Sequence, residues 1–158
     1  MAWKNFSIWH GRLPHWRAED VTYYVIFRHR RPLDEAERSL LLGSLLRADG
    51  KRWDLSVICV LPEQTELMFR VREMPQGGHY ELSDIVEKAK SRAGKEIVKQ
   101  TGERYPPFYG ESFDRIVRDL AEYEGFWKSM VEAPVTHELV EDPADYAGLW
   151  ARDAEPMA

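Results

Sequence analysis

The sequence has 158 residues, a hydrophobic share of 44% and a formal net charge of −5. This length suffices for one domain with a buried core, and the composition excludes a chain that is disordered along most of its length. The negative balance argues against a protein that binds nucleic acid through overall charge alone, although it allows a local basic patch.

Five segments in chain order have recognisable periodicity. Residues 21–29 are rich in β-branched and aromatic residues, which predicts a strand. Residues 33–49 carry acidic residues first and leucines at helical spacing afterwards, which predicts a helix. The apolar run 53–61 predicts a central strand buried on both faces, and 64–72 predicts its antiparallel partner after a short turn. Residues 82–102 have the clearest helical pattern, with apolar residues every fourth position.

The ends of the last elements are marked by single residues. Ser83 is the expected N-cap of the second helix, and Gly102 is its expected stop. Residues 112–119 predict a short fourth strand. Residues 120–133 predict a final helix, which we expect Pro134 to end.

The order strand, helix, strand, strand, helix, strand, helix is that of the split βαβ, ferredoxin-like arrangement. We therefore expect an α/β (α+β) domain over 21–150, with an antiparallel sheet of about four strands. The first two helices should share one face, with an extra C-terminal helix added. Residues 1–20 predict an irregular, aromatic N-terminal arm, 141–150 an irregular closing segment and 151–158 a flexible tail.

Cysteine content and the N-terminus bear on location. Cys59 is the one cysteine, so no disulfide forms within the chain, and its apolar neighbours predict a small buried side chain. A chain without disulfides fits a reducing compartment. The N-terminus lacks the apolar segment of a signal peptide, and no apolar run approaches a membrane span. We expect a cytoplasmic protein without a membrane partner.

Two polar side chains stand side by side on the predicted strand 64–72. Gln64 and Glu66 are two residues apart, so they project from the same face. From the residues alone, three interpretations stay open: polar residues on the open face of a strand, a weak oxygen-donor site for Mg²⁺, or a hydrogen-bonding site for a base or phosphate.

Basic residues form two groups, which predict contacts with phosphate groups. One group recurs along the second helix and consists of Lys88, Arg92, Lys95 and Lys99. The other closes the first strand and consists of Arg28, His29, Arg30 and Arg31. The rings of Trp3, Trp9 and Trp16 offer stacking surfaces for bases. The alternatives are a solvated helix face and an aromatic arm packed on apolar surface.

Five strings resemble the single-tyrosine transposases of the HUH superfamily, and the REP-associated tyrosine transposases in particular. They are LPHW, YYVIFR, VICVLPE, SFDRIVRD and APVTHELVEDPADY, in an order and spacing that cover most of the chain from Leu13 to Trp150. The resemblance implies a ferredoxin-like fold and cleavage of single-stranded DNA beside a hairpin. In that family two histidines, one residue apart, hold a divalent metal, and a tyrosine on the last helix attacks the phosphate.

The sequence departs from this pattern at the positions that carry the chemistry. By register, the two metal-binding histidines should stand where the chain has Gln64 and Glu66, and the nucleophile where it has Ser129. No two histidines elsewhere are separated by one residue. The resemblance thus implies a catalytically degenerate domain that binds single-stranded or hairpin DNA, or structured RNA, without cutting it. No catalytic residue and no cofactor are expected.

Two alternatives stay open. One is an active single-strand nuclease that uses Mg²⁺ or Mn²⁺ with altered ligands, and a nucleophile relocated to Tyr105 or Tyr109. Tyr123 is a poor substitute, because it lies on a different side of the last helix from Ser129. The other alternative is a protein-interaction module or homodimer built on the same fold.

Overall fold

The computed structural model describes residues 3–10 and 13–152, and over these ranges it has a mixed α+β fold. The strands are β1 (Lys4–His10), β2 (Pro14–Glu19), β3 (Thr22–Arg28), β4 (Trp53–Val60), β5 (Gln64–Val71), β6 (Phe113–Ile116) and β7 (Leu149–Ala151). The helices are α1 (Glu35–Leu46), α2 (Leu82–Thr101) and α3 (Leu120–Thr136), and a 3-10 helix spans Pro143–Asp145. None of the helices described is long and apolar enough to cross a membrane.

Five strands form one antiparallel sheet in the order β6-β3-β5-β4-β7. The fold class is therefore confirmed, with one strand more than the expected four or so. The additional strand is β7, which lies in the closing segment that was expected to be irregular. The strand β4 lies between β5 and β7, so its apolar run is covered at both edges, and β5 is the middle strand.

The sheet carries helices on both faces. The helices α1 and α2 share one face, as expected, and pack on side chains such as Val25, Leu67 and Phe69. The helix α3 packs on the opposite face, over Tyr24 and Met68. Neighbouring residues of a strand point to opposite faces, so each strand contributes to both cores.

The second helix begins and ends with different kinds of cap. Glu81, and not the expected Ser83, is the N-cap, because its carboxylate accepts a hydrogen bond from the backbone N–H of Ser83 at 3.3 Å. The Ser83 hydroxyl instead accepts a hydrogen bond from Arg17 at 3.0 Å. Gly102 adopts a left-handed conformation with φ of 75° and ends the helix, as expected.

The expectation that Pro134 ends the last helix was wrong. The helix α3 continues through Pro134 to Thr136. Proline lacks the N–H that would bond to the carbonyl of Met130, and its ring crowds that carbonyl, but only two helical residues follow Pro134, so little of the helix is affected. His137 caps the end of the helix. Its backbone N–H and its ring Nδ1 both donate to the Ala133 carbonyl, each at 2.8 Å.

The first twenty residues are not irregular where they are described. The strands β1 and β2 pair antiparallel in a separate two-stranded sheet, hereafter the hairpin. The strand β2 lies beside β6, the edge strand of the main sheet. At the other end of the chain, Arg152 donates from its backbone N–H to the Ser56 carbonyl at 2.9 Å, which prolongs the contact of β7 with β4. Residues 153–158 of the expected tail lie outside the described residues, and the division into arm, domain and tail stays a prediction.

Candidate nucleic-acid interface

Gln64 and Glu66 lie at the start of β5, on the sheet face that α3 covers. Across the strand pair, Arg28 is the partner of Gln64 and Ile26 is the partner of Glu66. The Glu66 carboxylate accepts a hydrogen bond from the hydroxyl of Tyr24. Glu66 therefore has a partner within the protein, whereas Gln64 lines an open groove.

The surroundings of Glu66 hold two acidic groups in their neutral forms. Burial, together with the hydrogen bond to Glu66 and its charge, raises the pKa of Tyr24. Burial and the Glu66 charge raise the pKa of the Cys59 thiol to about 12. Cys59 is fully buried, as expected, and the ring of Tyr24 stacks on Phe126 with centroids 4.2 Å apart. Neither group ionises to a nucleophile at neutral pH.

The two side chains at positions 64 and 66 supply fewer ligands than a divalent cation requires. Mg²⁺ requires near-octahedral oxygen coordination, and protein carboxylates usually provide the charge. Gln64 and Glu66 offer one amide and one carboxylate, and the carboxylate is engaged by Tyr24. Within residues 3–10 and 13–152, no group of three or more His, Cys, Asp or Glu side chains is placed to hold a metal.

Thr65 points to the sheet face opposite to that of Gln64 and Glu66, and its hydroxyl contacts the ring of His29. The Nε2 atom of His29 lies 2.8 Å from the Thr65 hydroxyl, and its Nδ1 lies 2.8 Å from the Pro62 carbonyl. Since a carbonyl can only accept, Nδ1 donates and Nε2 accepts. Burial lowers the pKa of His29, against the effect of the Pro62 carbonyl. His29 is therefore buried and links the end of β3 to the turn before β5 and to Thr65 by hydrogen bonds. It contributes no positive charge to the surface.

A groove of about 540 Å³ opens at the end of β3 and β5. It is lined by Leu13, Ile26, Arg28, Gln64, Tyr109, Glu111 and Phe113, and is hereafter called the Gln64 groove. Tyr109 is 48% exposed and Phe113 is 45% exposed. The fold thus brings an arginine, an amide, the Glu111 carboxylate and two accessible aromatic rings together from distant parts of the sequence.

The Tyr109 wall of the groove is fixed by contacts with β3 and α2. Its backbone N–H donates to the Arg28 carbonyl at 3.1 Å, and the Arg30 guanidinium lies 5.2 Å from the centre of its ring. The buried Nζ of Lys90, on α2, donates to the Tyr109 carbonyl at 2.7 Å. Sequence reasoning missed Lys90, because a lysine on the apolar side of a helix has no pattern that marks its partner.

The residues considered as nucleophiles other than Tyr109 do not line the Gln64 groove. Ser129 is on the exposed side of α3, whereas Tyr123 is 6% exposed and belongs to the core beneath that helix. Tyr105 is 61% exposed in the loop after α2. Of these candidates, Tyr109 is the one that lines the Gln64 groove.

The basic group at the end of the first strand is divided by the structure. Arg28 and Arg30 are exposed beside the Gln64 groove. Arg31 instead makes ion pairs with Glu37 and Glu103, and the hydrogen bonds that its guanidinium donates to these carboxylates raise its pKa. Its charge is neutralised within the fold.

The basic group of the second helix lies on the other side of the sheet. Lys88, Lys95 and Lys99 are exposed on α2. Arg92 is half-buried, and it donates to the carbonyl of Ser44 on α1 at 2.9 Å. Because α2 packs on the face opposite α3, this group and the Gln64 groove do not form one continuous surface.

A buried ionic network, hereafter the His15 network, lies beneath the hairpin. The Nδ1 of His15 lies 2.6 Å from Asp114 and its Nε2 lies 2.7 Å from Glu111. Arg17 donates to Asp114 at 3.0 Å and to Glu81 at 2.6 Å. Burial alone would lower the pKa of His15, but the hydrogen bonds to Glu111 and Asp114 outweigh it and raise the pKa. The network fixes the hairpin to β6 and to the start of α2, and no spacing in the sequence indicated it.

The three tryptophans of the N-terminal segment are carried by the hairpin and its flank. Trp9 stacks on His15 with ring centroids 4.0 Å apart. Trp16 packs edgewise on Phe6 at 5.3 Å and on Trp3 at 6.2 Å. Trp9 is 41% exposed and Trp16 is 42% exposed, and neither lines the Gln64 groove.

Comparison with known proteins identifies a solved structure of similar fold. No family model matches the chain, and no curated protein matches it by sequence. Among solved structures, the chain is similar to a REP-associated tyrosine transposase bound to a REP hairpin. The TM-score is 0.70 at 14% identity, and the match covers 94% of this chain and 96% of that one. The resemblance expected from the sequence is therefore confirmed at the level of the fold, over nearly the whole length of both chains.

Proposed function

We propose that this chain is a transposase-like domain that binds single-stranded or hairpin nucleic acid and does not cut it. The observation that carries the proposal is the Gln64 groove, in which the exposed Arg28 stands beside the accessible rings of Tyr109 and Phe113. A guanidinium binds phosphate oxygens, and aromatic rings stack on unpaired bases. The similar transposase is described as bound to a REP hairpin, which supports a ligand of the same class.

The second half of the proposal, that the chain does not cut, rests on the side chains at three positions. Gln64 and Glu66 offer one amide oxygen and one carboxylate, which are too few ligands to hold a divalent cation by themselves, and Glu66 also accepts a hydrogen bond from Tyr24. Ser129 is exposed on α3, and its hydroxyl has no hydrogen-bonding base among the described residues. A serine hydroxyl requires such a base to attack phosphate at neutral pH. Both halves of the family reaction therefore lack their groups at the expected positions.

One observation favours the nuclease alternative. Tyr109 lines the same groove as Gln64, so its hydroxyl is the best-placed substitute for the expected nucleophile. Among the residues that the structure describes, no group of three or more His, Cys, Asp or Glu side chains is placed to hold a metal, and for this reason we rank binding without cleavage first.

The binding proposal is tested with a DNA hairpin that carries single-stranded flanks, and with its RNA counterpart. We expect affinity to fall as salt rises, with a log-log slope of about −0.7 to −0.9 for each phosphate contact. Arg28→Gln should weaken binding and reduce the slope by about one unit. Lys128→Gln removes one exposed charge from α3 and is the matched control.

Two results would contradict the proposal. The first is that neither the DNA hairpin nor the RNA hairpin binds in a salt-dependent way. The second is that Lys128→Gln weakens binding as much as Arg28→Gln does. Salt-insensitive self-association or protein binding, with no hairpin binding, would favour the protein-interaction alternative instead.

A further inference from the structure

Three arginines lie on the side of the sheet that α1 and α2 cover, at the point where α1 ends against α2. They are Arg47, Arg52 and Arg92, hereafter the arginine cluster. Arg92 donates from Nη2 to the Ser44 carbonyl at 2.9 Å, and the backbone N–H of Arg47 donates to the same carbonyl at 3.3 Å. The two residues therefore share one acceptor in the last turn of α1.

The cluster is not neutralised by the fold. Among the residues described, no carboxylate lies within 4.0 Å of these three guanidinium groups, and the neighbouring Asp49 and Asp54 are paired with Arg152 and Arg72. Burial, and then the charges of Arg47 and Arg52, lower the pKa of Arg92. Arginine keeps its proton at any physiological pH, so Arg92 stays charged although it is half-buried near two other arginines.

Further cations extend the cluster along the helix. Lys88 and Lys95 are exposed one turn before and one turn after Arg92 on α2. Arg52 lies with its guanidinium 5.8 Å from the centre of the Tyr80 ring, which holds that side chain on the same surface. Guanidinium groups without carboxylate partners form a site for phosphate oxygens, because guanidinium donors match phosphate geometry.

We propose that the arginine cluster is a second phosphate-binding site, so that one protein molecule holds two nucleic-acid segments, one on each side of the sheet. The inference rests on the proposed function, because the first segment occupies the Gln64 groove. The groove lies on the face covered by α3, and the cluster belongs to the layer of α1 and α2 on the opposite face. A short hairpin stem is straight on this scale, since duplex DNA bends over a persistence length of about 150 base pairs. One stem therefore contacts one of the two surfaces.

The test is a bridging assay with the full chain. A hairpin with single-stranded flanks is attached to a surface at low density, protein is loaded to saturation, and unbound protein is washed away. A second, fluorescent hairpin of different sequence is then added. We expect wild-type protein to capture the second hairpin, in complexes of one protein and two hairpins by mass measurement.

Arg47→Glu distinguishes the arginine cluster from general charge effects. Arg47 is exposed, and its backbone alone caps α1. We expect the variant to load on the first hairpin to within about twofold of wild type and to capture about tenfold less of the second. Lys128→Glu changes the net charge by the same amount on α3 and should capture normally. Arg47→Gln replaces the charge-reversed variant if that one fails to fold.

Each outcome decides between the two proposals. Loading without capture of a second hairpin overturns the inference and leaves the proposed function standing. Unchanged capture by the Arg47 variant, equal loss with Lys128→Glu, or complexes with two protein copies also overturn it. Failure to load on the first hairpin overturns the proposed function and the inference with it.

Discussion

Replacing His15 by glutamine removes one positive charge from the His15 network. The side chain of His15 is 3% exposed and faces Asp114 on β6 and Glu111 in the loop before it. Arg17 is the other cation, and it pairs with Asp114 and Glu81. Because both ring nitrogens of His15 face carboxylate oxygens, only the imidazolium can donate to both.

The sign of the pH effect follows from the raised pKa of His15. The stabilisation is fully present below the unfolded-state pKa of about 6.5, and it is lost as the pH rises through the higher folded-state pKa. At pH 6 we expect the substitution to cost about 3 kcal/mol, the low end for a broken buried ion pair, because Arg17 still pairs with Asp114. One proton limits the change to about 1.4 kcal/mol per pH unit.

The assay is urea unfolding of wild type and His15→Gln, followed by tryptophan fluorescence between pH 6 and 9. The difference in the free energy of unfolding should shrink as the pH rises above 6.5. His29 has a lowered pKa and therefore the opposite sign, but it is present in both proteins and cancels in the difference. A difference that stays constant over this range would refute the reasoning.

Three further predictions concern the packing and the groove. Gly148→Ala places a Cβ 2.5 Å from the Val60 carbonyl oxygen and should lower the free energy of unfolding by about 1–3 kcal/mol in a urea titration. Gly43→Ala, where a Cβ meets no atom within 4 Å, should be neutral or stabilise by up to about 1 kcal/mol, and equal losses in both would contradict the packing. Lys90→Met removes the donor to the Tyr109 carbonyl, so the Tyr109 amide should exchange its hydrogen faster, and an unchanged rate would show that Lys90 does not hold this wall. Removing three α2 cations should reduce the capture of a second hairpin while the first hairpin still binds in the Gln64 groove, and unchanged capture would exclude this helix face. The cations removed in this variant are Lys88, Lys95 and Lys99.

Periodicity predicted the elements whose side chains face a core. The predicted segment 21–29 contains β3, and 82–102 contains α2, because burial on one face imposes the period of the strand or helix. The hairpin and β7 were missed for a different reason. Few of their residues are β-branched, so local preference is weak and pairing with other segments decides their structure.

Local spacing likewise predicted part of the site. The strand period places Gln64 and Glu66 on one face, and the helix period separates the lysines of α2 from its apolar side. The grouping of Gln64 with Tyr109 depends on how the loop before β6 returns to β3, which spacing along the chain does not encode. The buried partners of His15 are also about a hundred residues away in sequence.

The central claim is that the chain binds a hairpin and lacks the reaction. The most direct measurement is a denaturing gel of protein incubated with labelled, hairpin-bearing single strands and Mg²⁺ or Mn²⁺, at concentrations where binding is saturated. The account predicts an intact strand and no covalent protein–DNA adduct, with wild type and Tyr109→Phe giving the same result. A covalent adduct that disappears when Tyr109 or Tyr105 is replaced would contradict it, and would identify an active nuclease with a relocated nucleophile.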